Sequence, residues 1–223
     1  MELNRYIDHT QLKATATPED IIKLCNEAKE YKFYAVCINS CYVFLAANEL
    51  KKSDVKVASV VGFPLGANSC HAKVCEAKQC IKDGSDEIDM VLNIGLLKAK
   101  LHKSVREEIA AVKEAIGSRT LKVILETCYL SDDEIKIACQ IAKKAGANYV
   151  KTSTGFGTGG ATEHVVKIMI EEVGSSLKIK ASGGIKDTAT AKKYIEMGVS
   201  RIGTSSGIEI VTTTKKDTDE YTY

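Results

Sequence analysis

Short apolar segments alternate along the whole chain with longer segments whose apolar residues recur at helical spacing. Each apolar segment is too hydrophobic to have one face in water, which is typical of parallel strands buried on both sides. We predict eight strands, at residues 6–10, 34–39, 56–63, 87–93, 121–127, 148–153, 177–182 and 201–206. Helices are predicted between them, most clearly at 70–82, 104–116, 131–145, 161–173 and 187–197.

Local signals mark the ends of several of these elements. Residues 17–20, Thr-Pro-Glu-Asp, combine an N-cap candidate, a proline at the first helical position and acids in the first turn. Glycine lies just before three strands, in "KDGSDEIDM", "KAGANYVK" and "EMGVSRIG", where a left-handed helix cap suits it. Eight strands with room for one helix after each favour a closed (β/α)8 TIM barrel, with an open doubly wound sheet as the alternative.

Length and composition are those of one domain with a sizeable core. The chain has 223 residues, of which 44% are hydrophobic. We predict a barrel domain over residues 1–211 and a polar, mobile tail over 212–223. The 31 basic and 29 acidic residues are mixed along the chain, so nucleic acid is not an expected partner. The N-terminus has no apolar leader and no run approaches membrane-spanning length, which predicts a cytoplasmic protein without membrane contact.

Eight cysteines raise the question of metal binding or disulfides. None forms a C-x-x-C pair, and the four histidines are not clustered with them. We therefore expect neither a zinc site nor a disulfide framework, and predict that most are plain buried or surface thiols.

Reactive side chains lie towards the ends of the predicted strands. Barrel enzymes hold their active sites at the carboxyl ends of the strands. These residues are Asp8, Cys37, Asp89, Glu126, Lys151, Lys180 and Ser205. Because side chains alternate along a strand, Lys151, Lys178, Lys180 and Asp89 are predicted to point into the barrel. Two lysines on adjacent strands and an acid on a third are then expected to converge.

Such a convergence has a chemical use. Burial of an ammonium group lowers its pKa, and a second cation nearby lowers it further. A neutral amine attacks carbonyl carbons, as Schiff-base catalysis requires. The alternative is a structural lysine–aspartate ion pair that fills a layer of the barrel, but a pair of inward lysines with an acid in range favours catalysis.

Glycine-rich segments follow the last three strands, as "TGFGTGG" (154–160), "SGGI" (182–185) and "GTSSG" (203–207). Backbone N–H groups in such loops bind anions, and barrels often hold phosphate there. Gly155, Gly157 and Gly160 also fit the G-x-G-x-x-G spacing of dinucleotide sites. That interpretation requires an acid at the end of the next strand. The next strand, "LKIKAS", contains no acid, so the glycines are better explained as a phosphate loop.

Together, "IDHTQLK", "GFPLG", "EIDMVLN", "LKVILET", "YVKTSTGFGTGGAT", "IKASGGI" and "RIGTSSG" resemble the deoxyribose-phosphate aldolase family, in order and spacing, over about residues 6–211. The resemblance implies a class I aldolase, an aldehyde-lyase that needs no metal or other cofactor. Its substrate would be the phosphosugar 2-deoxy-D-ribose 5-phosphate, cleaved reversibly to D-glyceraldehyde 3-phosphate and acetaldehyde in deoxyribose phosphate breakdown. A homo-oligomer is the expected assembly, with a dimer favoured.

The resemblance also implies roles for particular residues. Lys151 occupies the position of the Schiff-base lysine, and Lys180 that of a second lysine that favours the neutral form of Lys151 and shares in proton transfer. Asp89 matches the acid that relays protons, and Asp8 a supporting carboxylate. The phosphate-binding positions are Gly155, Gly183, Gly184, Gly203, Ser205 and Ser206.

Some positions depart from the family pattern. Ser40 stands where the family usually has proline, and Cys70 and His71 stand where threonine- and glutamate-type residues are expected. We expect His71 to be a solvated residue at a helix start.

Three further side chains are open to more than one interpretation. Cys37 is a reactive thiol or a plain barrel residue. Glu126 is a catalytic residue or an ion-pair partner of the lysine cluster, and the ion pair is favoured. Tyr223 is a candidate for closing over the site. A sugar-phosphate isomerase and a non-catalytic phosphosugar-binding protein are the rival functions; neither needs paired inward lysines.

Overall fold

The computed structural model describes residues 2–213 and contains a closed parallel barrel. Its eight strands are hydrogen-bonded in chain order, and the last pairs with the first, so the TIM barrel is confirmed and the open sheet is wrong. The strands are β1 Ile7–Gln11, β2 Ala35–Ile38, β3 Lys56–Val61, β4 Glu87–Val91, β5 Thr120–Ile124, β6 Tyr149–Lys151, β7 Lys178–Ser182 and β8 Arg201–Thr204.

Helices follow the strands and form the outer layer. They are α1 Pro18–Glu30, α2 Val43–Leu50, α3 Cys70–Lys82, α4 Ile94–Lys98, α5 His102–Ile116, α6 Asp132–Lys144, α7 Glu163–Val173, α8 Thr188–Glu196 and α9 Gly207–Thr212. The five helices predicted most clearly are confirmed, with ends within two residues of those expected.

The predicted end signals have the expected geometry. The Thr17 side chain accepts a hydrogen bond from the N–H of Asp20, whose carboxylate accepts one from Thr17, so the two form a capping box. Gly84, Gly146 and Gly198, the glycines before β4, β6 and β8, have φ of 108°, 80° and 112°. A side chain is strained at such angles, which explains why glycine turns the chain from helix into strand here.

The interior of the barrel is divided by polarity. A small apolar cluster of Leu12, Cys37, Ala58 and Val60 fills the side formed by β1–β3. Buried charged side chains from β1 and β4–β8 fill the rest, while the larger apolar core lies between the strands and the helices. Barrel interiors are usually filled by apolar layers. A half-charged interior therefore points to function.

The remaining sequence predictions concern the cysteines and the chain end. All eight cysteines are free thiols, four of them buried, as predicted. Helix α9 extends to Thr212, and the rest of the predicted tail after residue 213, including Tyr223, lies outside the described residues. Across residues 2–213, no helix has the length and apolar character needed to cross a membrane.

Candidate active site

Two lysines lie side by side near the carboxyl ends of neighbouring strands. Lys151 is the last residue of β6, and the strand register pairs it with Lys180 in β7. Lys151 is 2% exposed and Lys180 is fully buried. The predicted convergence of two inward lysines is therefore present, and it follows from the alternation of side chains along the two strands.

Asp89 links the two lysines. One of its carboxylate oxygens, Oδ2, accepts hydrogen bonds from Lys151 Nζ at 3.0 Å and from Lys180 Nζ at 2.8 Å. Asp89 lies in β4, two strands away from Lys151, and is completely buried. The two amines and the carboxylate therefore form one hydrogen-bonded unit.

A second group of charged residues extends this unit towards the amino ends of the strands. Asp8 lies 2.5 Å from Lys180 Nζ and accepts hydrogen bonds from Arg201, one of them at 2.7 Å. Arg201 also contacts Glu87 at 3.1 Å, and Lys122 Nζ lies 2.6 Å from Glu87 and 2.6 Å from Asp89. We call Asp8, Glu87, Asp89, Lys122, Lys151, Lys180 and Arg201 the charged cluster.

Two opposing effects determine the protonation states in the charged cluster: burial, which favours the neutral form, and neighbouring opposite charges, which favour the ionised form. Burial alone would raise the pKa of Asp8, but Arg201 and Lys180 outweigh it and lower the pKa to about 2. Burial also acts to raise the pKa of Asp89, whereas the neighbouring lysines hold it well below its usual range. For Lys180, burial lowers the pKa, but the carboxylates of Asp8 and Asp89 prevail and raise it. The expectation that inward burial lowers the pKa is therefore wrong for Lys180.

A cavity of about 270 Å³ opens above the lysines at the carboxyl end of the barrel. Of the two lysines, Lys151 lines this cavity, while Lys180 lies beneath it. The other lining residues come mainly from the loops after β1, β6, β7 and β8, and they include Gly155, Gly183, Gly184, Gly203 and Ser205. The cavity thus joins one amine to the three predicted glycine-rich loops.

The glycine conformations explain the residue choice in these loops. Gly155, Gly183 and Gly184 have φ of 88°, 88° and 80°, which side chains disfavour. A Cβ at Gly203 would come within 2.9 Å of Lys180 Cε, so only glycine leaves room for that lysine. Ser206, the sixth predicted phosphate residue, does not line the cavity and is the N-cap residue of α9 instead.

Two lysine-cluster assignments differ from the structure. Lys178, predicted to point inward with Lys180, is exposed because it is the first residue of β7. Glu126, expected to pair with the lysines, instead accepts hydrogen bonds from the N–H and hydroxyl of Thr154. Glu126 therefore holds the loop after β6 in place.

The residues that depart from the family pattern lie away from the amines. The Ser40 hydroxyl donates to Glu76 at 2.9 Å, and His71 is exposed in the first turn of α3, as expected. Cys70 is also exposed.

Cys37 lies in the barrel, with Sγ 4.0 Å from Asp89 Oδ2. Burial raises the pKa of its thiol, which favours the unreactive form over a reactive thiolate.

Three members of the charged cluster were missed in the sequence: Lys122, Glu87 and Arg201. The signal for Lys122 is present in "LKVILET", because Leu121 and Val123 suit the helix layer and so turn Lys122 inward. Glu87 and Arg201 are first residues of strands, a position that does not by itself indicate burial. Their roles become visible only when the barrel closes and Arg201 meets both acids.

A parallel eight-stranded barrel with an amine facing a glycine-lined cavity and an acid beneath it has the features of an aldolase. The chain belongs to the DeoC/LacD family of aldolases, whose profile matches residues 4–212. It is 56% identical over 211 residues to the deoxyribose-phosphate aldolase of Coprothermobacter proteolyticus, covering 95% of this chain and 96% of that protein.

Solved structures are similar as well. The crystal structure of a putative deoxyribose-phosphate aldolase from Coccidioides immitis has a TM-score of 0.94 and 42% identity, covering 96% of this chain and 86% of that one. The deoxyribose phosphate aldolase from Aeropyrum pernix, described as a unique tetramer, has a TM-score of 0.88 and 31% identity, with coverage of 96% and 91%.

Proposed function

We propose that this aldolase reversibly cleaves 2-deoxy-D-ribose 5-phosphate to D-glyceraldehyde 3-phosphate and acetaldehyde, through a Schiff base on Lys151. Membership of the family and the high identity to deoxyribose-phosphate aldolases support the reaction. The observation that carries the residue assignment is the hydrogen-bonded unit of Lys151, Asp89 and Lys180 below the cavity.

The cavity suits a short phosphorylated sugar. A phosphate held by the loops that contain Gly183, Gly184 and Ser205 would leave the other end of a five-carbon chain near the Lys151 amine. Backbone N–H groups of these loops are the expected ligands of the phosphate oxygens. The exposed side chains of Lys13 and Lys186 add positive charge at the rim.

In the proposed mechanism, the Lys151 amine attacks the C1 aldehyde of the open-chain sugar, and loss of water gives an iminium. The iminium accepts the electron pair of the C2–C3 bond as that bond breaks. As the bond breaks, the 3-hydroxyl loses its proton, through a bridging water, to the Asp89–Lys180 pair, whose carboxylate is ionised. Glyceraldehyde 3-phosphate leaves, the pair returns the proton through water to C2 of the enamine, and hydrolysis of the new iminium releases acetaldehyde and restores the Lys151 amine.

The charge balance of the charged cluster agrees with a nucleophilic Lys151. The cluster contains four basic side chains and three carboxylates, so its charges balance when one base is neutral. Lys180, Lys122 and Arg201 each contact two carboxylates, whereas Lys151 contacts only Asp89 within the cluster. The cluster therefore loses the least ion-pair energy when Lys151 is the neutral base. Asp8 contributes to this arrangement because its carboxylate stabilises the charged form of Lys180.

Reductive trapping tests the proposed function. We expect sodium borohydride with acetaldehyde to leave a single reduced adduct on Lys151, detected by intact mass and assigned by peptide mapping. An adduct on Lys180 instead would keep the reaction class and reverse the two lysine roles. A folded protein that gives no adduct would contradict the Schiff base and leave the non-catalytic phosphosugar-binding protein as the better interpretation.

Substitution of Ser205 by aspartate tests the phosphate position. The added carboxylate would repel the substrate phosphate, so we expect KM for 2-deoxyribose 5-phosphate to rise on the order of 10–100-fold. Activity on unphosphorylated 2-deoxyribose should change little. The matched control is Ser175→Asp, an exposed serine in the turn before β7. Equal losses on both substrates would contradict a phosphate site at Ser205.

A sugar-phosphate isomerase on the same barrel would need a carboxylate base near the sugar. Asp89 is completely buried and does not line the cavity, so it cannot contact the sugar directly. The paired lysines favour the aldolase.

Assembly as a homodimer and a cytoplasmic location stay predictions from the sequence.

A further inference from the structure

Lys122 is a buried cation next to the proposed catalytic unit that has no part in the mechanism described so far. It lies in β5, between the strands of Asp89 and Lys151, and its side chain is completely buried. Its Nζ is 2.6 Å from Asp89 Oδ1 and 2.6 Å from Glu87 Oε2. It does not line the cavity, so any effect on the reaction must pass through another group.

The two oxygens of Asp89 have different partners. Oδ1 accepts a hydrogen bond from Lys122, while Oδ2 accepts hydrogen bonds from both Lys151 and Lys180. A carboxylate that is held at one oxygen cannot rotate freely about its last torsion. The contact at Oδ1 therefore determines where Oδ2 lies relative to the two amines.

We propose that Lys122 is a positioning residue for the aldolase reaction, which fixes the Asp89 carboxylate so that Oδ2 accepts hydrogen bonds from both Lys151 and Lys180. This inference rests on the proposed function, because it assigns Lys122 a role in the same site. Lys122 is anchored in turn by Glu87, which also binds Arg201. Glu87 lines a second cavity, at the opposite mouth of the barrel.

The charges around Asp89 give the direction of the expected effect. The groups that face it are Asp8 from β1, Cys37 from β2, Lys122 from β5, Lys151 from β6 and Lys180 from β7. Burial acts to raise the pKa of Asp89, and among the opposing cations Lys122 has the largest effect. Without Lys122, burial would be opposed by two lysines only, so the pKa of Asp89 would rise and the carboxylate would become protonated at a higher pH.

The competing explanation is that Lys122 only fills the barrel interior as part of an ion pair. Lys73 offers a matched comparison for that role. It too is completely buried, and its Nζ lies 2.7 Å from Glu108, but the pair joins α3 to α5 in the helix layer. Loss of Lys73 leaves Glu108 without its ion-pair partner, and loss of Lys122 leaves Asp89 and Glu87 with one cation fewer each, so both changes should destabilise the fold.

The experiment compares Lys122→Met with Lys73→Met, and measures kcat, KM and the pH dependence of kcat/KM for 2-deoxyribose 5-phosphate cleavage. For Lys122→Met we expect kcat to fall by about 10²-fold with little change in KM, since a misplaced catalytic group costs that much. The acid limb of the pH profile should move up by about one pH unit or more. Lys73→Met should lower only the melting temperature.

The double variant Lys122→Met/Glu87→Gln provides a second test if the single variant fails to fold. It removes one cation and one anion and so preserves the net charge of the charged cluster. It should show the same shift in the acid limb. A folded single or double variant with a wild-type pH profile and kcat would overturn the proposal. Failure of the proposed function itself appears separately, as the absence of a borohydride-trapped adduct in the unmodified enzyme.

Discussion

The Lys151→Arg variant is expected to lose cleavage of 2-deoxyribose 5-phosphate by several orders of magnitude and to give no borohydride-trapped adduct. Arginine keeps the positive charge that can pair with Asp89 Oδ2, but its guanidinium stays protonated and cannot attack an aldehyde. Lys151→Ala should be equally inactive. Because the nucleophile is absent in both variants, restoring the charge should not restore activity.

The measurements are release of glyceraldehyde 3-phosphate in a coupled assay and intact mass after reduction with acetaldehyde. Lys167→Arg is the control, since Lys167 is exposed on α7 and pairs only with Glu171, one turn along the same helix, among the ion pairs of the described residues. Its rate and adduct should match those of the unmodified enzyme. An active Lys151→Arg variant with an adduct elsewhere would move the nucleophile to another lysine.

The sequence predicts the barrel well because each element carries its own local signal. Helical spacing, the capping box at Thr17 and the glycines before β4, β6 and β8 all act within one or two turns of chain. The inward direction of Lys151 and Lys180 likewise follows from alternation along one strand. These local rules required no knowledge of which strands meet.

The limits of sequence reasoning appear where position along the strand matters as much as direction. Lys178 and Lys180 are two residues apart in β7, yet Lys178 is exposed at the strand start and Lys180 is completely buried. Alternation gives both the same direction but does not say how deep each lies. Glu126 shows the same limit, because its backbone has φ of 53° and its carboxylate turns to Thr154 in the next loop.

Protonation was harder to predict than placement, since it depends on every charge within reach. An inward lysine considered alone should lose its proton, but Lys180 contacts both Asp8 and Asp89, and its pKa is raised. Arg201 and Lys122 then keep those acids ionised. Such a balance becomes apparent only when the barrel brings residues from β1, β4, β5, β7 and β8 together.

Replacement of Lys180 by methionine has the second large effect that we expect. Methionine is similar in length and apolar, and the substitution leaves Asp8 paired with Arg201 and Asp89 paired with Lys122 and Lys151, so the remaining acids keep partners. The Asp89–Lys180 pair, which takes up the 3-hydroxyl proton during cleavage, would lose one of its two members. We expect kcat to fall roughly 10²–10⁴-fold, the range for loss of an acid–base group.

Two measurements separate the roles of Lys180. Trapping of acetaldehyde by borohydride should persist on Lys151, because the nucleophile is retained. Cleavage should stay slow even at high pH, because one member of the proton-transfer pair is missing. Lys178→Met, an exposed lysine two residues earlier on the same strand, is the matched control and should behave like the unmodified enzyme. If cleavage recovered fully at high pH, Lys180 would act only on the charge of Lys151 and take no part in proton transfer.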